Sequence, residues 1–148
     1  MKKLSILITG GRGFIGSNLW TKLSGFVRVW DIKDDYDIFD NNFETAVEES
    51  DIVYHLAAFT SVDKSFKNPD EVFLTNVMGT ARVAYLCAKY KKKLIYPSTG
   101  AIYHPEFSPY AYTKYLAEEI VKGIMNTTPV VILRFFNIFG PGMNPNTG

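Results

Sequence analysis

The chain has 148 residues, 47% hydrophobic and 21% charged, with a formal net charge of +1. That length suits one domain with a real core and not two. The near-neutral balance gives no sign of nucleic acid or an anionic membrane as partner, and no run approaches the roughly 20 apolar residues of a membrane span.

The opening Met-Lys-Lys-Leu-Ser-Ile-Leu-Ile is too short in its apolar part for a signal peptide and runs into glycines. Leu4–Thr9 reads as a first buried strand. Residues 9–16 follow directly as Thr-Gly-Gly-Arg-Gly-Phe-Ile-Gly. Gly11, Gly13 and Gly16 give G-x-G-x-x-G, while Gly10, Gly13 and Gly16 give G-x-x-G-x-x-G. Either spacing predicts a tight strand-to-helix turn that lets the backbone approach a pyrophosphate. The helix that follows aims free N–H groups and its positive dipole end at the anion.

That helix spans Phe14–Ser24 and ends near Gly25. Phe26–Asp31 is a second strand. Asp31 closes it about twenty residues after the glycine loop, where a carboxylate accepts both hydroxyls of an adenosine ribose and repels a 2′-phosphate. This favours NAD over NADP. Arg12 and Lys33 argue the other way, since either suits a 2′-phosphate. Asn41–Glu49 is a short polar helix, Asp51–Leu56 a third strand and Pro69–Tyr90 a long helix. Cys87 lies in the apolar pattern of that helix. As the single cysteine it excludes an internal disulfide framework, and it implies a reducing, cytoplasmic setting. The lysine run 89–93, broken by Tyr90, reads as a solvated helix end complementing the dipole rather than as an anion patch. Leu94–Ser98 is a fourth strand, Tyr110–Met125 a helix and Pro129–Phe135 a fifth strand. The βαβα rhythm predicts an α/β fold: a Rossmann-type doubly wound parallel sheet, covered on both faces, in a single domain over residues 1–148. His55 and His104 have no carboxylate or cysteine at ligand spacing, so no metal is expected.

Tyr110-Ala-Tyr-Thr-Lys114 carries the second chemical signal. Residues four apart share a helix face, so Lys114 sits one turn from Tyr110. An ammonium there favours the phenolate and lowers the tyrosine pKa from its usual value of about 10. The same lysine can donate to ribose hydroxyls. Ser98 and Thr99 end the fourth strand, where ligands lie in such sheets, and a hydroxyl there bridges a substrate oxygen to Tyr110.

On these motifs the chain resembles the extended short-chain dehydrogenase/reductases, in the NAD-dependent epimerase/dehydratase branch that acts on nucleotide sugars. The resemblance runs from residue 4 to about residue 142. It implies that Gly10, Gly11, Arg12, Gly13, Phe14, Ile15 and Gly16 form the cofactor loop, with Asp31, Ile32 and Lys33 at the adenosine ribose and Asp37 and Ile38 at the adenine. His55-Leu-Ala-Ala58, followed by Val62, Ser65 and Pro69, matches the segment over the cofactor, which brings in Leu56, Ala57, Ala58 and Thr60. Asn76-Val-Met-Gly-Thr80 matches a helix start. Ser98-Thr-Gly-Ala-Ile-Tyr103 matches the strand whose catalytic hydroxyl falls on Thr99, with Pro97 and Ser98 beside it. Tyr110 and Lys114 match the catalytic pair. Leu133-Arg-Phe-Phe-Asn-Ile-Phe-Gly-Pro141 places Phe136, Asn137 and Ile138 at the nicotinamide, with Asn137 meeting a sugar-nucleotide phosphate. Ser98, Thr99 and Asn137 then face the substrate.

The departures shape the expectation. Family members continue well over a hundred residues past the Gly-Pro and carry there a further strand and the substrate domain. The connection from Tyr103 to Tyr110 is short, and the crossover between the second and third strands is trimmed. Gly100 and Ala101 stand where sugar dehydratases place an acid pair, which argues against 4,6-dehydration. The expected activity is an NAD-dependent epimerase or oxidoreductase on a sugar or nucleotide-sugar alcohol, through Thr99, Tyr110 and Lys114. The alternatives are a minimal NAD-binding module or small-carbonyl reductase, and a fragment that needs a partner chain. The tail Met143–Gly148 reads as a loop in mid-course, and apolar surface beside the fifth strand is expected to be uncovered. A homodimer is expected through Ala81, Ala84, Tyr85 and Ala88 of one helix and Tyr112, Tyr115, Leu116 and Glu119 of another.

Overall fold

The computed structural model describes residues 3–143. Met1 and Lys2 of the leader-like opening, and residues 144–148 of the tail, lie outside the described residues. Strand β1, Ser5–Thr9, carries the apolar run Ile6-Leu7-Ile8, all of it buried. A strand buried on both faces belongs in the middle of a parallel sheet. It pairs on one side with β2, Phe26–Trp30, and on the other with β3, Ile52–His55. Strands β4, Lys93–Thr99, and β5, Val130–Phe135, extend the sheet beyond β3. The order is β2-β1-β3-β4-β5, all parallel, so the expected doubly wound sheet is present. The direction of winding reverses at β1. That reversal opens a crevice outside the carboxyl ends of β1 and β3.

The helices are α1, Phe14–Trp20; α2, Asn41–Glu48; α3, Val62–Lys67; α4, Pro69–Phe73; α5, Thr80–Lys89; and α6, Pro109–Gly123. Helices α2, α5 and α6 cover one sheet face, enclosing Leu7, Phe43, Val53, Val83, Leu94, Tyr96, Ala117 and Val121 in one cluster. On the other face α1 packs on β1. Toward β5 that face is open, with Val131 and Leu133 37% and 40% exposed. Coverage of both faces is therefore corrected at the β5 end, where the uncovered apolar surface expected beside the fifth strand is found.

Helix α1 stops at Trp20 instead of reaching Ser24. The Lys22 N–H bonds back to Leu19 O at 3.0 Å and the Thr21 hydroxyl to Asn18 O, which tightens and ends the last turn. Helix α3 has no counterpart in the sequence reading. Six residues are too few to display a period, and its start is set by the Ser61 hydroxyl accepting from Lys64 N. The long helix begins at Pro69 as expected, but widens into a π-helical stretch over Leu74–Gly79 between α4 and α5. Gly79 in this stretch packs closely on Ile38: a Cβ there would lie 2.6 Å from Ile38 Cδ1.

Candidate active site

All five strand ends deliver their following loops to the same end of the sheet, and most of the motif residues meet there. The glycine loop leaves β1 through Gly10 in the left-handed region at φ 67°. A Cβ at Gly10 would sit 2.6 Å from the Ala57 backbone, and one at Gly16 would sit 2.5 Å from Gly11 Cα. Gly11 is closed in by Val29 Cγ1 at 2.7 Å, whereas Gly13 is crowded only by Gly10 O at 3.2 Å. Both glycine spacings are thus needed: three of these positions hold loop, helix and strand together, and the fourth keeps the outer side clear. The first helical bond of α1 is Ser17 N to Gly13 O, which leaves Phe14, Ile15 and Gly16 N–H ahead of it, with no side-chain cap from Gly13. This cradle fits a pyrophosphate. Gly10→Ala is expected to cost about 2–4 kcal/mol, since strain at positive φ adds to a backbone clash. Urea unfolding checks this, and an NAD titration of the variant should show affinity falling with it.

Asp31 is buried at the end of β2 and caps a 3-10 turn over Ile32–Asp34. Its Oδ2 accepts from Arg12 N at 2.7 Å and its Oδ1 from Lys33 N at 3.0 Å. Each oxygen keeps a lone pair for a further donor. Ile32 stands beside it 72% exposed. Asp37 Oδ1 accepts from Phe39 N at 2.9 Å, and Ile38 is packed into the core.

The segment after β3 lies against the glycine loop. Its anchor is His55, buried, with Nδ1 2.8 Å from Thr9 Oγ1 and Nε2 3.1 Å from Thr80 Oγ1. Burial, reinforced by the nearby Lys114 charge, pulls the imidazole down to about 3, so it stays neutral and ties β1, β3 and α5 together. Thr9 Oγ1 also accepts from Ala57 N at 3.2 Å. Asn76 holds the next stretch by both edges of its amide: Phe59 N donates to Oδ1 at 2.8 Å, and Nδ2 donates to Phe59 O and Thr113 Oγ1 at 3.1 Å each. Leu56, Ala57 and Ala58 are half-buried along this path and Thr60 is exposed.

At the β4 end the pleat separates the two hydroxyls. Ser98 points to α6 and donates to Glu118 Oε2 at 2.5 Å. Thr99 points the other way, accepts from Ala101 N at 3.2 Å and lies on the Tyr110 side, near enough to lower the phenol. The structure thus brings Thr99 to the tyrosine and turns Ser98 away. Lys114 is buried, donating to Pro97 O at 2.8 Å with its ammonium 4.3 Å over the Tyr96 ring. Burial pulls it down to about 7, against a raising effect of Glu118. Burial raises Tyr110, and the group that lowers it is Thr99. The expectation that Lys114 depresses the tyrosine is corrected here: the ammonium is engaged by Pro97 and Tyr96.

Glu118 was not singled out in the sequence, although Tyr110, Lys114, Glu118 and Lys122 form one i, i+4 row on α6. Its carboxylate, with no exposed surface, accepts from Arg134 Nη2 at 2.6 Å and Nε at 3.2 Å, from Ser98, and from Lys122 Nζ at 3.0 Å. Desolvation would raise Glu118, but the Arg134, Ser98 and Lys122 hydrogen bonds outweigh it and hold the group at about 2.

Phe136, Asn137 and Ile138 follow β5 and are exposed. The Phe136 ring lies over Gly100, where a Cβ would come within 2.5 Å of ring carbon Cε1. The site where dehydratases carry an acid is thus filled by an aromatic ring. Gly140 and Pro141 return to α1, with Asn18 Nδ2 donating to Pro141 O at 2.9 Å. Cys87 is buried and its thiol is pushed up to about 12 by desolvation, so it is not a nucleophile. His104 stacks on Phe107, and among the described residues no group of three or more His, Cys, Asp or Glu is placed to hold a metal. No helix of the described residues is long and apolar enough to cross a membrane.

Residues 6–148 match the model of the NAD dependent epimerase/dehydratase family. The chain is 33% identical to the UDP-N-acetyl-alpha-D-glucosaminuronate decarboxylase of Bacillus cytotoxicus, over 95% of its own length and 56% of that protein's. Among solved structures, it superposes on the UDP-N-acetylglucosamine 4-epimerase of Methanobrevibacter ruminantium, bound to UDP-N-acetylmuramic acid, with TM-score 0.89 and 27% identity, covering 99% of this chain and 59% of that one. It also superposes on the Bordetella bronchiseptica enzyme WbmF in complex with NADH, with TM-score 0.86 and 26% identity, covering 99% of this chain and 53% of that one. The chain therefore spans just over half the length of these relatives.

Proposed function

Since the chain belongs to the NAD-dependent epimerase/dehydratase family, we propose that it is an NAD-binding Rossmann domain that carries the redox step of an epimerase or oxidoreductase on a sugar or nucleotide-sugar alcohol. The observation that carries this reading is the convergence of Thr99, the Tyr110 phenol and buried Lys114 at the carboxyl end of β4. Gly10, Gly11, Gly13 and Gly16 hold the pyrophosphate, Asp31 the adenosine ribose, and Lys114 the second ribose. Oxidising a carbinol to a ketone releases one hydride, which bound NAD would accept and return, and one proton, which Tyr110 Oη takes only as the phenolate and gives back in the reverse direction. Thr99 orients the substrate oxygen toward that phenol. With burial raising Tyr110, its acid form prevails at neutral pH, so the ligand-free site is poised to give a proton to a carbonyl.

A nucleotide-sugar panel incubated with the purified chain and NAD tests this reading. Formation of a C4 epimer or a keto sugar supports it. NAD binding without conversion of any member overturns the sugar reading. A second reading, a small-carbonyl reductase, is favoured by the shallow wall of the site. Only the tight turns Gly100–Tyr103 and Pro105–Phe107 separate β4 from α6. Oxidation of NADH by small aldehydes, with no nucleotide-sugar binding, selects it.

The same proposal takes the chain as a cytoplasmic homodimer. Tyr85, Tyr112 and Tyr115 are exposed on α5 and α6 and support that face, whereas Ala84 is buried in the core.

A further inference from the structure

The two cations that argued for a 2′-phosphate are both engaged. Arg12 Nε donates to Asp34 Oδ2 at 2.6 Å, and Lys33 Nζ donates to the Arg12 carbonyl at 3.4 Å. Asp34 is held on a fixed turn. Its N–H bonds Asp31 O at 2.9 Å, the Asp31 carboxylate caps the turn through Lys33 N, and Asp35 closes it in the left-handed region at φ 61°. Arg12 N meanwhile bonds the Asp31 carboxylate. The Arg12 backbone is therefore anchored on the Asp31 carboxylate while its guanidinium is turned onto Asp34, three residues further on. An exposed ion pair is commonly worth little, but a preorganised partner reduces the entropy of forming it. A free arginine here is the side chain best matched to a phosphate.

We propose that Asp34, beyond Asp31, sets the dinucleotide preference of this cleft by sequestering Arg12 from a 2′-phosphate. This rests on the reading of the cleft as a dinucleotide site. Asp34 touches no part of the catalytic end, so its role is discrimination between NAD-type and 2′-phosphorylated cofactors.

Fluorescence titration with NADH and NADPH tests it. In Asp34→Asn, NADPH binding is expected to tighten about tenfold, and NADH binding to move less than about twofold. Arg12→Ala in the Asp34→Asn background should remove the NADPH gain, because the gain is Arg12 released. Unchanged NADPH affinity in Asp34→Asn overturns the proposal. So does a gain that persists without Arg12, which would make Asp34 a mere repulsive charge. A wild-type chain that binds neither NADH nor NADPH instead overturns the reading of the cleft itself. Thermal melts of each variant confirm folding, which the half-exposed position of Asp34 favours.

Discussion

Tyr110→Phe is expected to lower turnover of a sugar substrate by about a hundredfold to ten-thousandfold while leaving NAD affinity within about twofold. The substitution removes only Oη. The ring keeps its packing at the start of α6, and Thr99 still accepts from Ala101 N. Stability should therefore change by no more than about 1 kcal/mol. Calorimetric NAD titration beside steady-state kinetics separates the two effects. Equal loss of binding and turnover would place Tyr110 in the cofactor site and not at the reacting carbon. Retained turnover would remove it from the chemistry. Thr99→Val should follow Tyr110→Phe in direction. Ser98→Ala should act first on stability, because its hydroxyl serves Glu118.

Arg134→Met is expected to destabilise the fold by about 3 kcal/mol. It strips the bidentate donor from a carboxylate with no exposed surface and leaves Glu118 with Ser98 and Lys122. Glu118→Gln should cost less, since the half-exposed Arg134 can rehydrate while a buried carboxylate cannot. Equal losses in urea unfolding would contradict this asymmetry. The pair also predicts an acid limb. Glu118 titrates at about 2 when folded, against an ordinary value of 4.5. A depressed folded value means that the stabilisation is complete above 4.5 and is lost as pH falls from 4.5 toward 2. In Arg134→Met the depression shrinks, so the acid loss should weaken across that window.

Much of the site could be read along the chain because its parts are local. The glycine loop, the strand-end Asp31 and the Tyr110–Lys114 spacing each lie within a single turn or a single strand-to-helix junction, and the physics that selects them acts over a few residues. The alternation of apolar strands and helices likewise foretold the parallel sheet, since buried strands must be apolar on both faces. Helix α3 escaped because six residues show no period. The π-helical stretch escaped because apolar spacing does not distinguish a single widened turn from an α-helix. Glu118 was visible in principle as the third member of the i, i+4 row, but nothing nearby in sequence marks it as buried.

Local sequence patterns specify the fold class and single out the glycine loop and the catalytic trio as candidates. Tertiary structure alone decided which partner each polar group takes. The pleat of β4 sends Ser98 to Glu118 and turns Thr99 away from it, toward Ala101 N. The β4–β5 register sets Arg134 opposite Ser98 and so beside Glu118. The turn after β2 commits Arg12 to Asp34, and Pro97 and Tyr96 take the Lys114 ammonium. Each of these depends on strand parity and on elements brought together from distant parts of the chain. Hydrogen bonds and ion pairs are directional and short-ranged, so their partners are fixed only once the backbone has placed them.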